Sequence, residues 1–333
     1  MSKISKRALI TGISGQDGSF LAEQLLAKGY EVHGLVRRVS SGYENLRNII
    51  RLVRDENIYR KTLFLHSGDL GDATSIYRVI SEVRPHEIYN LAAQADVQES
   101  FQMPEYSVDI NGTAVLRILE AIRLIDKSIR FYQASTSELF GKVSETPQSE
   151  TTPFNPQSPY SIGKWVGFQA VKKYREAYGM FACNGILFNH ESERRGDDYL
   201  TRKVTKAVAR IKNGSQKEVR LGNLGSQRDW GYSPEYVDAA WRMLQLDSPD
   251  DFVVGTGETH FVREWVESAF AAAGLDWEKY VVIDPKLFRP AEVDILCADY
   301  SKAKKFLGWE PKTRFKELVA LMVEYDLDAL SSK

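Results

Sequence analysis

The chain has 333 residues, with 44 Lys+Arg against 45 Asp+Glu and a formal net charge of −1, which gives no electrostatic case for nucleic acid or an anionic membrane as partner. Its hydrophobic content of 43% is enough to offset the ordering entropy that keeps poorly apolar chains disordered. Cys183 and Cys297 lie far apart, which excludes a disulfide framework and a cysteine-rich zinc site, and the histidines show no metal-ligand spacing. No apolar run reaches the ~18 residues of a membrane span, and the basic start, Met1 to Arg7, leads into no signal-peptide core, so the expected address is cytoplasmic.

Short apolar runs alternate with helix-period segments from the start. Ala8–Thr11, Glu31–Val36, Leu63–His66, Glu87–Leu91 and Arg130–Ala134 read as strands, with helices such as Phe20–Ala27, Ile76–Val83 and Ala114–Ile122 between them. That alternation predicts an α/β fold with a doubly wound parallel sheet, a Rossmann arrangement with helices on both faces. After about Leu187 the pattern loosens into shorter elements, among them Val219–Leu221 and Phe252–Val254. We expect residues 1–187 to form a dinucleotide-binding domain. Residues 188–333 then form mainly a smaller α/β substrate lobe, interleaved with the first because no linker separates them. A helix-period ending, Lys316–Leu327, is expected to dock on the body.

The first strand runs into Thr11-Gly12-Ile13-Ser14-Gly15-Gln16-Asp17-Gly18, a GxxGxxG between strand and helix. Gly12 permits a tight turn, Gly15 lets backbone N–H groups approach a pyrophosphate, and Gly18 lets the helix pack on the strand, so the segment predicts dinucleotide binding. Its spacing resembles that of extended short-chain dehydrogenases/reductases. The second strand ends in Arg37-Arg38-Val39-Ser40-Ser41 where an acid would hold the ribose of NAD; two cations and two hydroxyls suit a 2′-phosphate and favour NADP, the alternative being a solvated basic turn. Asp69-Leu70 and Leu91-Ala92-Ala93 follow the third and fourth strands, where ligands of open α/β sheets sit. The extended family implies that the first pair lies by the adenine and the second run by the pyrophosphate and ribose.

Tyr-x-x-x-Lys on a helix puts a phenol and an ammonium on one face, but the chain holds three such pairs, at Tyr160/Lys164, Tyr199/Lys203 and Tyr300/Lys304. Tyr160/Lys164 alone follows a Pro that can open a helix, and has a hydroxyl-rich strand end, Ser135-Thr136-Ser137, upstream. It is the predicted acid–base pair, and the Tyr300 pair reads as a surface coincidence. Glu138 beside it adds a second proton-transfer group: with a ketone formed on the substrate, it could take the acidified proton next door and protonate a leaving hydroxyl one carbon on. On its own, Glu138 reads equally well as an acid at a helix N-terminus.

The runs Ala134 to Gly141, Pro159 to Lys164, Phe188 to Ser192, Arg194-Arg195-Gly196, Thr201-Arg202-Lys203, Leu221 to Leu224, Arg228-Asp229-Trp230-Gly231 and Phe288 to Asp294 together resemble the GDP-mannose 4,6-dehydratase family, in order along essentially the whole chain. The resemblance implies an NADP-dependent hydro-lyase that oxidises C4 of the hexose, eliminates water across C5 and C6 and returns the hydride to C6. It implies Tyr160 as base at the C4 hydroxyl, Thr136 hydrogen-bonding that oxygen, Lys164 lowering the Tyr pKa and holding the ribose, and Glu138 relaying the C5 proton. Gln16, Asp17, Leu187, Asn189, His190 and Arg195 are expected at the cofactor. Lys203, Arg228 and Arg289 are expected at the diphosphate, and Asn189, Glu292, Ser100, Leu221 and Gly222 elsewhere along the GDP-sugar.

Two departures stand out. The family usually continues its Ala-Ala-Gln with Ser-His-Val, here Ala95-Asp96-Val97, and often has His-Ala after Arg-Asp-Trp-Gly, here Tyr232-Ser233. A 4,6-dehydratase of a related GDP-sugar such as a GDP-mannoheptose therefore stays open, as does a GDP-sugar reductase or epimerase of the same fold. The family also implies a homodimer or homotetramer with the Arg37–Ser41 loop at an interface.

Overall fold

Short apolar runs of the chain pair side by side into a seven-stranded sheet, all of whose neighbours run parallel. The computed structural model describes residues 5–37, 44–288 and 293–331. Strands β1 (Arg7–Thr11), β2 (Glu31–Val36), β3 (Leu63–Ser67), β4 (Glu87–Asn90), β5 (Arg130–Thr136) and β6 (Ala182–Leu187) stand in the order β6-β5-β4-β1-β2-β3. Every residue of β4 and β6 is buried, the mark of parallel strands covered on both faces. One cover includes the helices Gln16–Ala27 and Ser233–Met243. The other is formed by Ala73–Val83, Ala114–Ile125 and the inner face of Pro159–Tyr178.

One expectation is corrected. The Phe252–Val254 strand, read as part of the second lobe, is the seventh strand of the main sheet and pairs with β6. All three of its residues are buried, so it needs cover on both faces, which the central sheet supplies. The chain thus returns to the first lobe with Ser233–Met243 and this strand, and again with Ala303, Leu307 and Trp309, which join the same core.

The second lobe is built by the helices Leu200–Lys212, Val262–Ala272 and Phe315–Ser331 around the fully buried Trp265 and Phe270. The Asn189–Glu191 strand leaves β6 and pairs with Trp230–Tyr232, which draws this lobe over the C-terminal ends of the sheet strands. Asp229 ties that corner down: fully buried, it accepts hydrogen bonds from the N–H groups of Thr256, Gly257 and Ala298 at 2.8, 2.9 and 3.0 Å and from the Thr256 hydroxyl at 2.7 Å. No helix among the described residues is long and apolar enough to cross a membrane.

Candidate active site

A cleft of about 420 Å³ opens where the C-terminal ends of β4, β5 and β6 meet the second lobe. At its cofactor side, Gly12 adopts φ +70°, and a Cβ on Gly18 would stand 2.2 Å from the Gly12 carbonyl oxygen, so only glycine lets the Gln16–Ala27 helix start so close to the loop. The helix begins at Gly15 with no side-chain cap, which leaves first-turn N–H groups for an anionic ligand. These features fit the pyrophosphate of a dinucleotide, with Gly12, Gly15 and Gly18 as its cradle.

The helix Pro159–Tyr178 delivers the Tyr/Lys pair. Ser158 accepts from the Ser161 N–H at 3.1 Å while the Ser161 hydroxyl accepts from the Ser158 N–H at 3.0 Å, and Pro159 supplies a preset first turn. Gly163, between the two functional residues, lets this helix press on the one-turn π-helix Asp109–Thr113; a Cβ there would meet Asn111 at 3.0 Å and the Ser107 carbonyl at 3.1 Å. Tyr160 and Lys164 are both buried. Burial pushes Lys164 down to about 8, opposed by the negative charge of Asp17, and its ammonium donates to the Ala134 carbonyl at 2.7 Å. Burial raises Tyr160 well above the ordinary phenol value; the Thr136 hydrogen bond opposes this, Glu138 reinforces it, and the charge of Arg195 opposes it. Glu138 follows in the Ser137–Leu139 turn, which is fixed by the Glu138 N–H donating to the Thr136 hydroxyl at 3.2 Å, and its half-buried side chain lines the same cleft.

Behind these groups a buried hydrogen-bond chain crosses the sheet. The Leu91 and Ala92 N–H groups donate to the Thr11 hydroxyl, each at 3.1 Å, which donates to Asn90 Oδ1 at 2.6 Å. Asn90 Nδ2 donates to Gln133 Oε1 at 2.7 Å, and Gln133 Nε2 donates at 3.0 Å to the Ala134 carbonyl that also receives Lys164. The glycine loop and the lysine therefore share one polar scaffold.

A family model described as GDP-mannose 4,6 dehydratase matches residues 9–322. The chain belongs to the GDP-mannose 4,6-dehydratase family. It is 51% identical over 330 residues to GDP-mannose 4,6 dehydratase 1 of Arabidopsis thaliana, covering 98% of this chain and 91% of that one. It is 49% identical to the Homo sapiens GDP-mannose 4,6 dehydratase, covering 99% and 94%. Among solved structures, the NAD complex of Thermus thermophilus UDP-glucose 4-epimerase superposes with a TM-score of 0.82 at 27% identity, covering 96% of this chain and 98% of that one. As a GDP-mannose 4,6-dehydratase family member the chain is a hydro-lyase.

Of the residues that the motifs of this dehydratase family single out, Asp17, Leu91, Ala93, Thr136, Glu138, Tyr160, Lys164, Leu187, Asn189, His190, Arg195, Lys203, Leu221, Gly222 and Arg228 all line the cleft. Arg228 is buried and donates to the Val293 carbonyl at 2.7 Å. Arg195 lies 3.8 Å over the Tyr199 ring. Gln16 sits behind the cleft wall, donating to the His190 carbonyl at 3.1 Å, and Ala92 packs under Gly12, where a Cβ would stand 2.8 Å from the Ala92 nitrogen. Asp69 accepts from the Gly71 N–H at 2.8 Å beyond β3, Leu70 is buried in the core beside it, and Arg37 is exposed at the end of β2, donating to the Tyr106 hydroxyl at 3.2 Å.

Ser100 does not join the cleft lining: fully buried, it donates to the Val97 carbonyl at 2.6 Å and closes a short helix. Arg38, Ser40, Arg289 and Glu292 lie outside the described residues. The Tyr300 pair is remote, with Tyr300 packed edge-on against Trp309 and Lys304 paired with Glu310 at the surface.

Sequence reasoning passed over cleft residues as well. Phe188, Leu200, Trp230 and Ser135 form part of the wall, and so does Tyr199, whose Tyr-x-x-x-Lys spacing was set aside. Gln133 and Asn90 carried a usable signal, a long polar side chain inside an apolar central strand.

Proposed function

We propose that this protein removes water from GDP-mannose to give GDP-4-dehydro-6-deoxy-mannose, using NADP held at the glycine loop. The observation that carries the reading is the convergence of Tyr160, Thr136 and a second proton-transfer group, Glu138, on one cleft that Lys203 and Arg228 also line. A reductase or epimerase would have no use for the elimination acid. When bound, the nicotinamide would supply a hydride acceptor for C4 and a positive charge in its oxidised form and, once reduced, the hydride donor for C6.

The chain's own groups do the rest. Tyr160 takes the C4 hydroxyl proton, and Thr136 holds that oxygen and stabilises the phenolate. Lys164, fixed on the Ala134 carbonyl, supplies the ammonium charge and binds the ribose. With C4 a ketone, the C5 proton is acidic; Glu138 removes it and delivers it to the C6 hydroxyl as water leaves. Lys203 and Arg228, with Arg289, neutralise the diphosphate, and Asn189 and Glu292 hold the sugar and nucleotide ends.

NADP is favoured over NAD because Arg37 follows β2 where an acid would otherwise hold the ribose. A homodimer or homotetramer with the Arg37–Ser41 loop at an interface is part of the reading, as is a cytoplasmic address; light scattering reports the oligomer directly. A GDP-mannoheptose is the second reading, favoured by Asp96, which adds a carboxylate to the cleft wall; Tyr232, the other departure, packs edge-on against Phe20 and is not part of that wall. The test is turnover in D2O. The reading requires one deuterium at C5 and none at C6, because C5 is reprotonated from exchangeable groups while C6 receives the substrate's own hydride; deuterium at C6 contradicts it.

A further inference from the structure

Asp17 stands in the first turn of the Gln16–Ala27 helix and faces the cleft, yet both its carboxylate oxygens are engaged by protein donors. Oδ2 accepts from His190 Nε2 at 2.8 Å; Oδ1 accepts from the Ser233 hydroxyl at 2.7 Å and from Gln16 Nε2 at 3.1 Å. The other ring nitrogen of His190, Nδ1, lies 2.7 Å from the Phe188 carbonyl oxygen. A neutral imidazole carries one N–H and would leave one of these contacts as two lone pairs face to face. Two acceptors on opposite nitrogens require the doubly protonated ring.

The surroundings suit that charge. The His190 and Asp17 side chains are only 12% and 22% exposed, so solvent screens their attraction weakly, and the ring stacks on Tyr236 with centroids 4.6 Å apart. Arg195 is the opposing cation, and Tyr132, Tyr199 and Tyr236 are the phenols within the field of Asp17. The burial of His190 works against protonation, and Asp17 outweighs it. Asp17 is also the carboxylate that favours the ammonium form of Lys164.

We propose that Asp17 is a positioning residue, a counter-ion that keeps His190 an imidazolium and supports the charge on Lys164 while it ties the glycine-loop helix to the Asn189–Glu191 strand through His190 and to the Ser233–Met243 helix through Ser233. In its effect on turnover the proposal rests on the dehydratase reading above. It extends that reading by giving Asp17 an electrostatic role through its neighbours rather than a direct contact with the cofactor. Ser233, where the family often has Ala, supplies one of the three donors.

The experiment is long-range ¹⁵N–¹H correlation on histidine-labelled full-length protein, with and without NADP⁺, the His190 signals assigned through His190→Gln. Both ring nitrogens of His190 stay protonated in the unmodified protein at a pH above the ordinary imidazole value of 6.5. In Asp17→Asn the ring becomes neutral at that pH, and the basic limb of the kcat/KM profile moves down by about one pH unit. Ser233→Ala, which keeps the carboxylate, leaves ring charge and limb in place. A neutral His190 in the unmodified protein, or an unmoved limb in folded Asp17→Asn, overturns the proposal; if Asp17→Asn fails to fold, the unmodified protein's spectrum still decides. A doubly protonated ring in protein that leaves GDP-mannose unchanged upholds the counter-ion and rejects the dehydratase reading, so the two failures are separable.

Discussion

Lys164 and Tyr160 are four residues apart but sit in opposite electrostatic situations. Burial disfavours the charged form of each, lowering the lysine to about 8 and raising the phenol. For the lysine the sign is clear: its ammonium is the useful form, so kcat/KM falls as pH rises through about 8, and a pH–rate profile with no basic limb there contradicts the assignment. Between about 8 and the ordinary lysine value of 10.5 the unfolded chain binds the proton more tightly, so the same group lets stability rise with pH in that window. The role proposed for Glu138 is in elimination and not in oxidation. In Glu138→Gln, C4 oxidation still proceeds and reduced nicotinamide accumulates at its absorbance band without loss of water. Tyr160→Phe suppresses both steps, by about 10²- to 10⁴-fold in kcat. Dehydration by Glu138→Gln at the normal rate removes the proposed role.

At the scale of elements, much of the molecule was legible. Glu31–Val36 and Val219–Leu221 form strands with the bounds their apolar runs suggest, and the Gly12–Gly18 spacing announces the turn because the backbone geometry admits no Cβ at Gly18. Phe252–Val254 was misplaced because a short buried run names no partner strand; only the chain's return after the Ser233–Met243 helix decides which sheet takes it. Asn90 and Gln133 stand out singly as polar residues in apolar strands, but their linkage with Thr11 into one chain was not legible, since pairing across β1, β4 and β5 is a property of the sheet order and not of any one run. Gln133→Leu breaks that chain at the carbonyl holding Lys164, and we expect kcat to fall about tenfold, as for losing one to two kcal/mol of hydrogen bonding, with KM for GDP-mannose nearly unchanged. A second element-scale joint is the buried Arg202–Asp326 pair at 2.7 Å, which docks the final helix on Leu200–Lys212. Asp326→Ala leaves Arg202 buried without its carboxylate and should cost about 3–5 kcal/mol, read by denaturant unfolding.

Across the whole molecule, the cleft exists because the chain crosses between lobes several times, so cofactor loop and substrate wall are held by shared contacts. Gln16 and Asp17 on the first helix both reach His190 beyond β6, and the lobes are joined at the place where the sheet ends meet the ligand. That is why motifs far apart in sequence, such as Gly12 to Gly18 and Arg228 to Gly231, serve one site. The cofactor preference belongs to this scale too: NADP⁺ should bind at least about tenfold more tightly than NAD⁺, and Arg37→Glu should narrow or reverse the ratio in a fluorescence titration.

The most direct measurement is mass spectrometry of the purified protein incubated with GDP-mannose and a catalytic amount of NADP⁺, with the reduced-nicotinamide absorbance followed in parallel. The account predicts that the sugar nucleotide loses one water while no reduced cofactor accumulates, because the hydride taken from C4 returns to C6. Unchanged substrate mass, or stoichiometric accumulation of reduced nicotinamide, contradicts it.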